Sequence, residues 1–247
     1  MKQFTFVGPI VCIFIWFLVT QFNLVDNFFL PGPFATFNKL FLLISQGLII
    51  ADIGATLGRV AMSFIIGSVI GLPLGLFFGS VEKIYRSFEF VIDFFRSTPA
   101  TALFPLFLLL FGISDASKIA VAAFTSALII IFNVAYGVMH SKKSRILAAR
   151  IMGATKMQIF RWVLLWESLP QTFIGMRSAA SLSLVVIIVT EMFIGTDAGL
   201  GRRIIDAQIT YEIKTMYAVI LLTGIIGYLF NLAFILLEKN VLHWTKR

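Results

Sequence analysis

The side chains able to carry chemistry are few, and most lie inside apolar sequence. One apolar run holds Asn133 and Tyr136, and a later one holds Ser181, Ser183, Thr190 and Glu191. Polar groups are costly in hydrocarbon and face a bundle interior or a water-filled route. These six residues are therefore candidates to line a path for a small polar solute. Glu191 has two readings, a path or gate residue, or a hydrogen-bond hub for the Gly195–Gly201 turn; the second is favoured. His140 and His243 lack metal-ligand spacing and read as border and tail histidines. Cys12 stands alone in an apolar run and reads as a small hydrophobe. No Gly-x-x-x-x-Gly-Lys-Ser/Thr loop is present to cradle a nucleotide. No catalytic dyad or metal cluster is visible, so the chain reads as a non-enzyme with no cofactor of its own.

The elements that must position these residues follow from composition. Of 247 residues, 59% are hydrophobic and only 13% charged, and the mean hydropathy is +0.97. Soluble domains carry about 25% charged residues, so this chain cannot coat a water-exposed globule. It reads as a single all-α membrane domain with about six spans, near 4–22, 57–79, 100–111, 117–139, 172–194 and 216–237. The first run is long enough to span, and no small-x-small cleavage site follows it, which points to an uncleaved helix. Pro31-Gly32-Pro33 is a breaker. Phe34, Phe37, Phe41 and Ile44 then recur at helical spacing, fitting either an interfacial amphipathic helix or ordinary packing on the bundle. A charged segment from Glu82 to Arg96 suits a helix along the cytoplasmic surface, ended by Thr98-Pro99. Trp16, Trp162, Trp166 and Trp244 fall near predicted borders and read as interface anchors.

The net charge of +8 does not point to nucleic acid, because it is scattered over short loops. With both termini in the cytoplasm, lysines and arginines favour the inner segments by more than two to one. Gly67, Gly71, Gly75 and Gly79 recur every fourth residue with Ser63, which puts small residues on one helix stripe and predicts a close seam with another helix. Pro73 is expected to kink that helix.

The most informative segment is the polar loop 140–170. Ser144 is a plausible N-cap, Gly153 a natural stop, and a second short helix is expected near Lys156–Leu165. Ile146, Ala149, Ile151 and Met152 are expected to line one side of the first helix. Ala148, Ala149, Gly153 and Ala154 offer little bulk, so this helix could seat deeply in a groove of another protein. Arg145, Arg150, Lys142, Lys143 and Lys156 flank it and could meet acidic groups there.

The pattern Ala148-Ala149-x-x-x-Gly153-Ala154, then Phe160 and Leu169-Pro170, resembles the cytoplasmic "EAA" loop of permease subunits of bacterial ATP-binding-cassette importers. Further similarity lies in Phe29-Leu30-Pro31-Gly32-Pro33, Phe95-Arg96-Ser97-Thr98-Pro99 with Phe104-Pro105-Leu106, Phe111-Gly112-Ile113 with Lys118, and Glu191 with Gly199-Leu200-Gly201. The resemblance covers about residues 28–245 and is strongest to the nitrate, sulfonate and taurine branch. It implies a type I importer fold in the bacterial inner membrane. It also implies a coupling helix (Arg145, Leu147, Ala148, Ala149, Arg150, Gly153, Ala154) docked on one of two ATPase subunits that hold ATP and Mg. A second permease copy, in a homodimer, and an extracytoplasmic solute-binding protein complete the implied assembly, bathed in membrane lipid. For an anionic solute, a path-lining Glu191 would be repulsive. Two positions depart from the pattern. Leu147 stands where the family has glutamate, and Leu165-Trp166 where it has Leu-Pro. With Ser144 as N-cap, a glutamate at 147 would complete a capping box, so its loss should weaken the cap by about 1 kcal/mol or less. The rival readings are a secondary transporter using Glu191, which would want more ionisable groups at mid-membrane and paired repeats, and an intramembrane enzyme.

Overall fold

The computed structural model describes residues 7–193 and 196–242. Lys2, the expected start of the first span at Phe4, Gly195, His243, Trp244, Lys246 and Arg247 lie outside the described residues. All regular structure among the described residues is helical: α1 Val7–Gln21, α2 Pro33–Ser45, α3 Ile50–Ser80, α4 Glu82–Ser97, α5 Ala100–Phe111, α6 Asp115–Met139, α7 Lys143–Ile151, α8 Lys156–Ile159, α9 Leu165–Phe193, α10 Leu200–Ile209 and α11 Ile213–Val241. A π-helical turn, Phe160–Leu164, joins α8 to α9.

The chain divides into two compact units, Met1–Ala55 with Glu191–Ile226, and Thr56–Thr190 with Gly227–Arg247. In the first, Gly32 precedes α2 and Pro33 occupies its first turn, where a missing N–H costs nothing. The Trp16 indole donates to the Pro31 carbonyl at 3.1 Å, which ties α1 to this breaker. The buried stripe of α2 is Pro33, Thr36, Leu40 and Leu43. Phe34, Phe37, Phe41 and Ile44, the residues with helical spacing in the sequence, face outward. Aromatic side chains directed away from the protein in a membrane chain suit the interfacial reading of α2.

In the second unit the glycine stripe of α3 lies against α6. A Cβ built on Gly67, Gly71, Gly75 or Gly79 would come within 2.7–2.9 Å of the Cβ of Ser126, Ile130, Val134 or Val138 respectively. It would also meet the carbonyls of Ala123, Ala127, Ile131 and Ala135 at 2.8–3.0 Å. Both partners advance by four residues, so two i, i+4 ridges mesh for four successive turns. Pro73 sits inside α3 without ending it. Helix α4 packs Tyr85 and Ile92 against Ile131 and Ala135 of α6, and the Arg96 guanidinium lies 3.8 Å over the Phe132 ring.

The span count differs from the six expected. Among the described residues, Ile50–Ser80, Asp115–Met139, Lys156–Phe193 and Ile213–Val241 are long and apolar enough to cross a membrane. The pair α4 and α5 adds a fifth if counted as one span, but it is bent by 96°. Helix α5 alone has 12 residues and α1 has 15, against about 20 for a hydrocarbon core of ~30 Å. The run at 100–111 is thus a half-length arm beyond a sharp bend, while the first run shows 15 helical residues from Val7, its expected start lying outside the described residues.

Candidate functional site

Helix α7 begins two residues earlier than expected, at Lys143, with Lys142 as N-cap and no side-chain cap bond. Ser144 is therefore the second helical residue and not the cap. Leu147 is the fifth, too far along to close a capping box, so the argument from its lost glutamate does not apply here. In this exposed first turn the Arg145 and Ile146 N–H groups donate to the Lys142 carbonyl, at 3.0 and 3.3 Å. A capping box does exist one helix later: Thr155 Oγ1 accepts from the Gln158 N–H, and the Gln158 side chain accepts from the Thr155 N–H at 2.8 Å.

The stop at Gly153 has a clear geometry. Its φ is +78°, the left-handed conformation in which glycine carries no Cβ penalty. The Gly153 N–H donates to the Arg150 carbonyl and the Ala154 N–H to the Ala149 carbonyl, both at 3.0 Å. This pair of bonds is a Schellman motif, which satisfies two carbonyls at the end of α7.

The helix presents two different stripes, and this corrects the single apolar side expected. Ile146 and Ala149 are half-buried. Leu147, Ala148, Ile151 and Met152 are turned to solvent, with Ile151 79% and Met152 86% exposed. Arg145 forms an ion pair with Glu167 at the start of α9, so its charge is engaged within the chain. Arg150 is exposed on the same helix. A nine-residue helix with large apolar side chains facing water has surface to cover, and a protein partner is the ordinary means of covering it.

The residues singled out as path candidates have different surroundings. Asn133 and Ser183 clasp α6 to α9. Gln171 donates to Asn133 Oδ1 at 2.9 Å, Asn133 donates to the Ile129 carbonyl at 2.8 Å, and Ser126 and Ser183 share a buried bond of 2.6 Å. Ser181 is half-buried on α9. Tyr136 is 42% exposed and stacks on His140 with ring centroids 3.8 Å apart. Thr190 is fully buried and bonds back to the Ile187 carbonyl at 2.9 Å. Glu191 is 1% exposed. Its Oε2 accepts from the Gly201 N–H at 3.0 Å, and its carboxyl fills the space where a Cβ on Gly199 would stand, 2.6 Å away.

Two ionic clusters rest on Asp52, Arg203, Arg59 and Asp115, which the sequence reading did not single out. In the first unit, Asp52 accepts from the Gly199 N–H at 2.9 Å and from Arg203 Nε at 2.9 Å, and Arg203 also donates to the Leu48 carbonyl at 2.8 Å. Two carboxylates, Asp52 and Glu191, thus hold the glycine turn before α10. In the second unit, buried Arg59 and Lys118 both meet Asp115 Oδ1, at 2.9 and 3.2 Å.

Comparison with known proteins places this architecture. The chain is 28% identical over 232 residues to a protein of Brucella abortus (strain 2308) named as an ABC transporter permease, covering 94% of this chain and 91% of the relative. It is 26% identical over 239 residues to the taurine transport system permease protein TauC of Escherichia coli (strain K12), covering 95% and 86%. It is 29% identical over 180 residues to the nitrate import permease protein NrtB of Leptolyngbya laminosa, covering 73% and 64%. A chain of the MetNI methionine ABC transporter in an inward-facing conformation superposes with a TM-score of 0.68 at 26% identity, covering 78% of this chain and 95% of that one. A family model matches residues 67–246, from the glycine seam through the α7 loop and beyond α11. By that match the chain belongs to the binding-protein-dependent transport system inner membrane components, multi-pass membrane permeases that serve transport and not catalysis.

Proposed function

We propose that the chain is the path-forming subunit of an importer for a small solute of the sulfonate, taurine or nitrate kind. Relatives named for taurine and nitrate transport support that solute class. In this reading the chain folds as one permease domain, both termini face the cytoplasm, and two copies form the path at their interface. An extracytoplasmic binding protein delivers the solute. Two ATPase subunits hold ATP and Mg, and each engages one α7 through Leu147, Ala148, Ile151 and Met152, with Ala149, Gly153 and Ala154 keeping the contact close. Nucleotide and loaded binding protein shift the populations of inward-open and outward-open states by binding one better than the other.

The observation that carries this reading is the solvent-facing apolar stripe of α7, closed off by the Schellman turn at Gly153. The test is a mild-detergent pull-down of the tagged chain with its neighbouring ATPase. Wild type should retain the ATPase. Gly153→Arg, which forces a bulky residue into φ +78°, and Ile151→Asp, which leaves the backbone alone, should both lose it while still inserting in the membrane. A wild-type chain that retains no ATPase under several gentle conditions would sink the coupling argument.

A further inference from the structure

Beside α7 lies a groove of about 1180 Å³, bounded by the last turns of α3 and α6, by α7, and by α8 with the π turn. Its floor is apolar, formed by Leu76, Phe77, Val138 and Phe160 among others. Its rim is basic: His140, Lys143, Arg150 and Lys156 line it, against the single acid Glu82. Lys143, Ile146 and Arg150 follow i, i+3, i+7 spacing, so this stripe of α7 faces the groove. Its outward stripe, Leu147, Ala148 and Ile151, is absent from the lining.

An apolar floor under a cationic rim matches an amphiphile with an acidic head. We infer that the groove is a site for an anionic phospholipid, the phosphate held by Lys143, Arg150 and Lys156 and an acyl chain laid along Phe77 and Leu76. Basic pockets among helices on the cytoplasmic side of a membrane protein take up such headgroups, with about 1 kcal/mol from each lysine or arginine. A free inorganic anion would leave the apolar floor in water, which argues for the lipid. The inference rests on the cytoplasmic placement of α7 in the importer reading. Its consequence is that lipid composition would bias the position of the helix whose other face meets the ATPase.

The test is native mass spectrometry of the full chain, delipidated in detergent and titrated with phosphatidylglycerol or phosphatidylcholine. Phosphatidylglycerol should be retained over phosphatidylcholine. The Lys143→Gln/Lys156→Gln double variant should bind it roughly thirtyfold more weakly, two charges at that strength. Lys142→Gln, adjacent but outside the groove lining, should bind as wild type. Inorganic phosphate should compete poorly. Equal retention of both lipids, an equal loss in Lys142→Gln, or full displacement by phosphate would overturn the proposal. ATPase co-purification is read on the same samples. ATPase retained without lipid preference defeats the lipid site alone, and loss of lipid whenever the ATPase is bound identifies the groove as the ATPase's seat and also overturns it. Failure of ATPase retention in wild type defeats the importer reading, whatever the lipid result.

Discussion

Gly75→Ala puts the tight seam between α3 and α6 under direct test. The added methyl would stand 2.7 Å from Val134 Cβ, 3.0 Å from the Ile131 carbonyl oxygen and 3.1 Å from Ile131 Cα. Carbon atoms rest about 3.5–4.0 Å apart, so α3 and α6 would have to separate locally by most of an ångström. Neither obstacle is the far end of a flexible side chain. Gly71 and Gly79, one turn away on either side, are equally tight, so the helices cannot pivot to relieve the clash. Overpacking of this kind costs about 1–3 kcal/mol. Gly58→Ala is the matched control, in the same helix, with nothing within 4 Å of the new methyl. It should gain up to about 1 kcal/mol from helix propensity. For a chain of this size 1 kcal/mol moves the unfolding midpoint by about 2–4 °C. Thermal unfolding in detergent, followed by circular dichroism, should therefore lower the Gly75→Ala midpoint by about 4–8 °C for a 2 kcal/mol loss. Gly58→Ala should sit at or slightly above wild type. Equal midpoints for the two variants would refute the claim that backbone contact, and not helix propensity, governs this stripe.

Two further outcomes follow from the first unit. A double-mutant cycle on Asp52→Asn and Arg203→Gln should give a coupling of about 1–2 kcal/mol in thermal unfolding, since the residues touch and share one network; a coupling near zero would separate Asp52 from the turn before α10. Glu191→Ala should destabilise by about 1–3 kcal/mol, because it removes the acceptor of the buried Gly201 N–H, while Glu191→Gln keeps an oxygen there and should unfold near wild type. Solute uptake by Glu191→Gln should persist and should resist a protonophore while ATP is maintained; uptake that collapses with the proton gradient would return the chain to secondary transport.

What the sequence revealed was local. The stop at Gly153 was readable because glycine there answers a backbone need, and the structure has φ +78° at that residue. The stripe from Gly67 to Gly79 was readable because its period is that of a helix face. The start of α7 was misread at Ser144 because a solvent-exposed first turn needs no side-chain cap, so a capping residue nearby carries no information. The bond between Asp52 and the Gly199 N–H joins residues 147 positions apart, and Arg59 reaches Asp115 past the whole of α4 and α5. Such pairs leave no periodic trace; only a buried charge at a helix end hints at them. Asn133 and Ser183 are polar groups in apolar runs that point inward, where each meets a partner on the neighbouring helix. The run at 100–111 read as a full span for a related reason: hydropathy records apolar length and not the 96° bend between α4 and α5.

The continuity from α8 through the π turn into α9 makes Lys156–Phe193 one helical run of 38 residues. At about 1.5 Å per residue its contour is roughly 57 Å. Tilted by 40° it would still rise about 44 Å, well beyond a hydrocarbon core of ~30 Å. At least one end of this run therefore lies beyond the hydrocarbon core. The rod acts as a ruler and a dial at once. One residue inserted between Phe160 and Ser183 would turn the Thr155 end against the Ser183 end by about 100° and lengthen the run by about 1.5 Å, so the register between these two points is fixed by residue count alone.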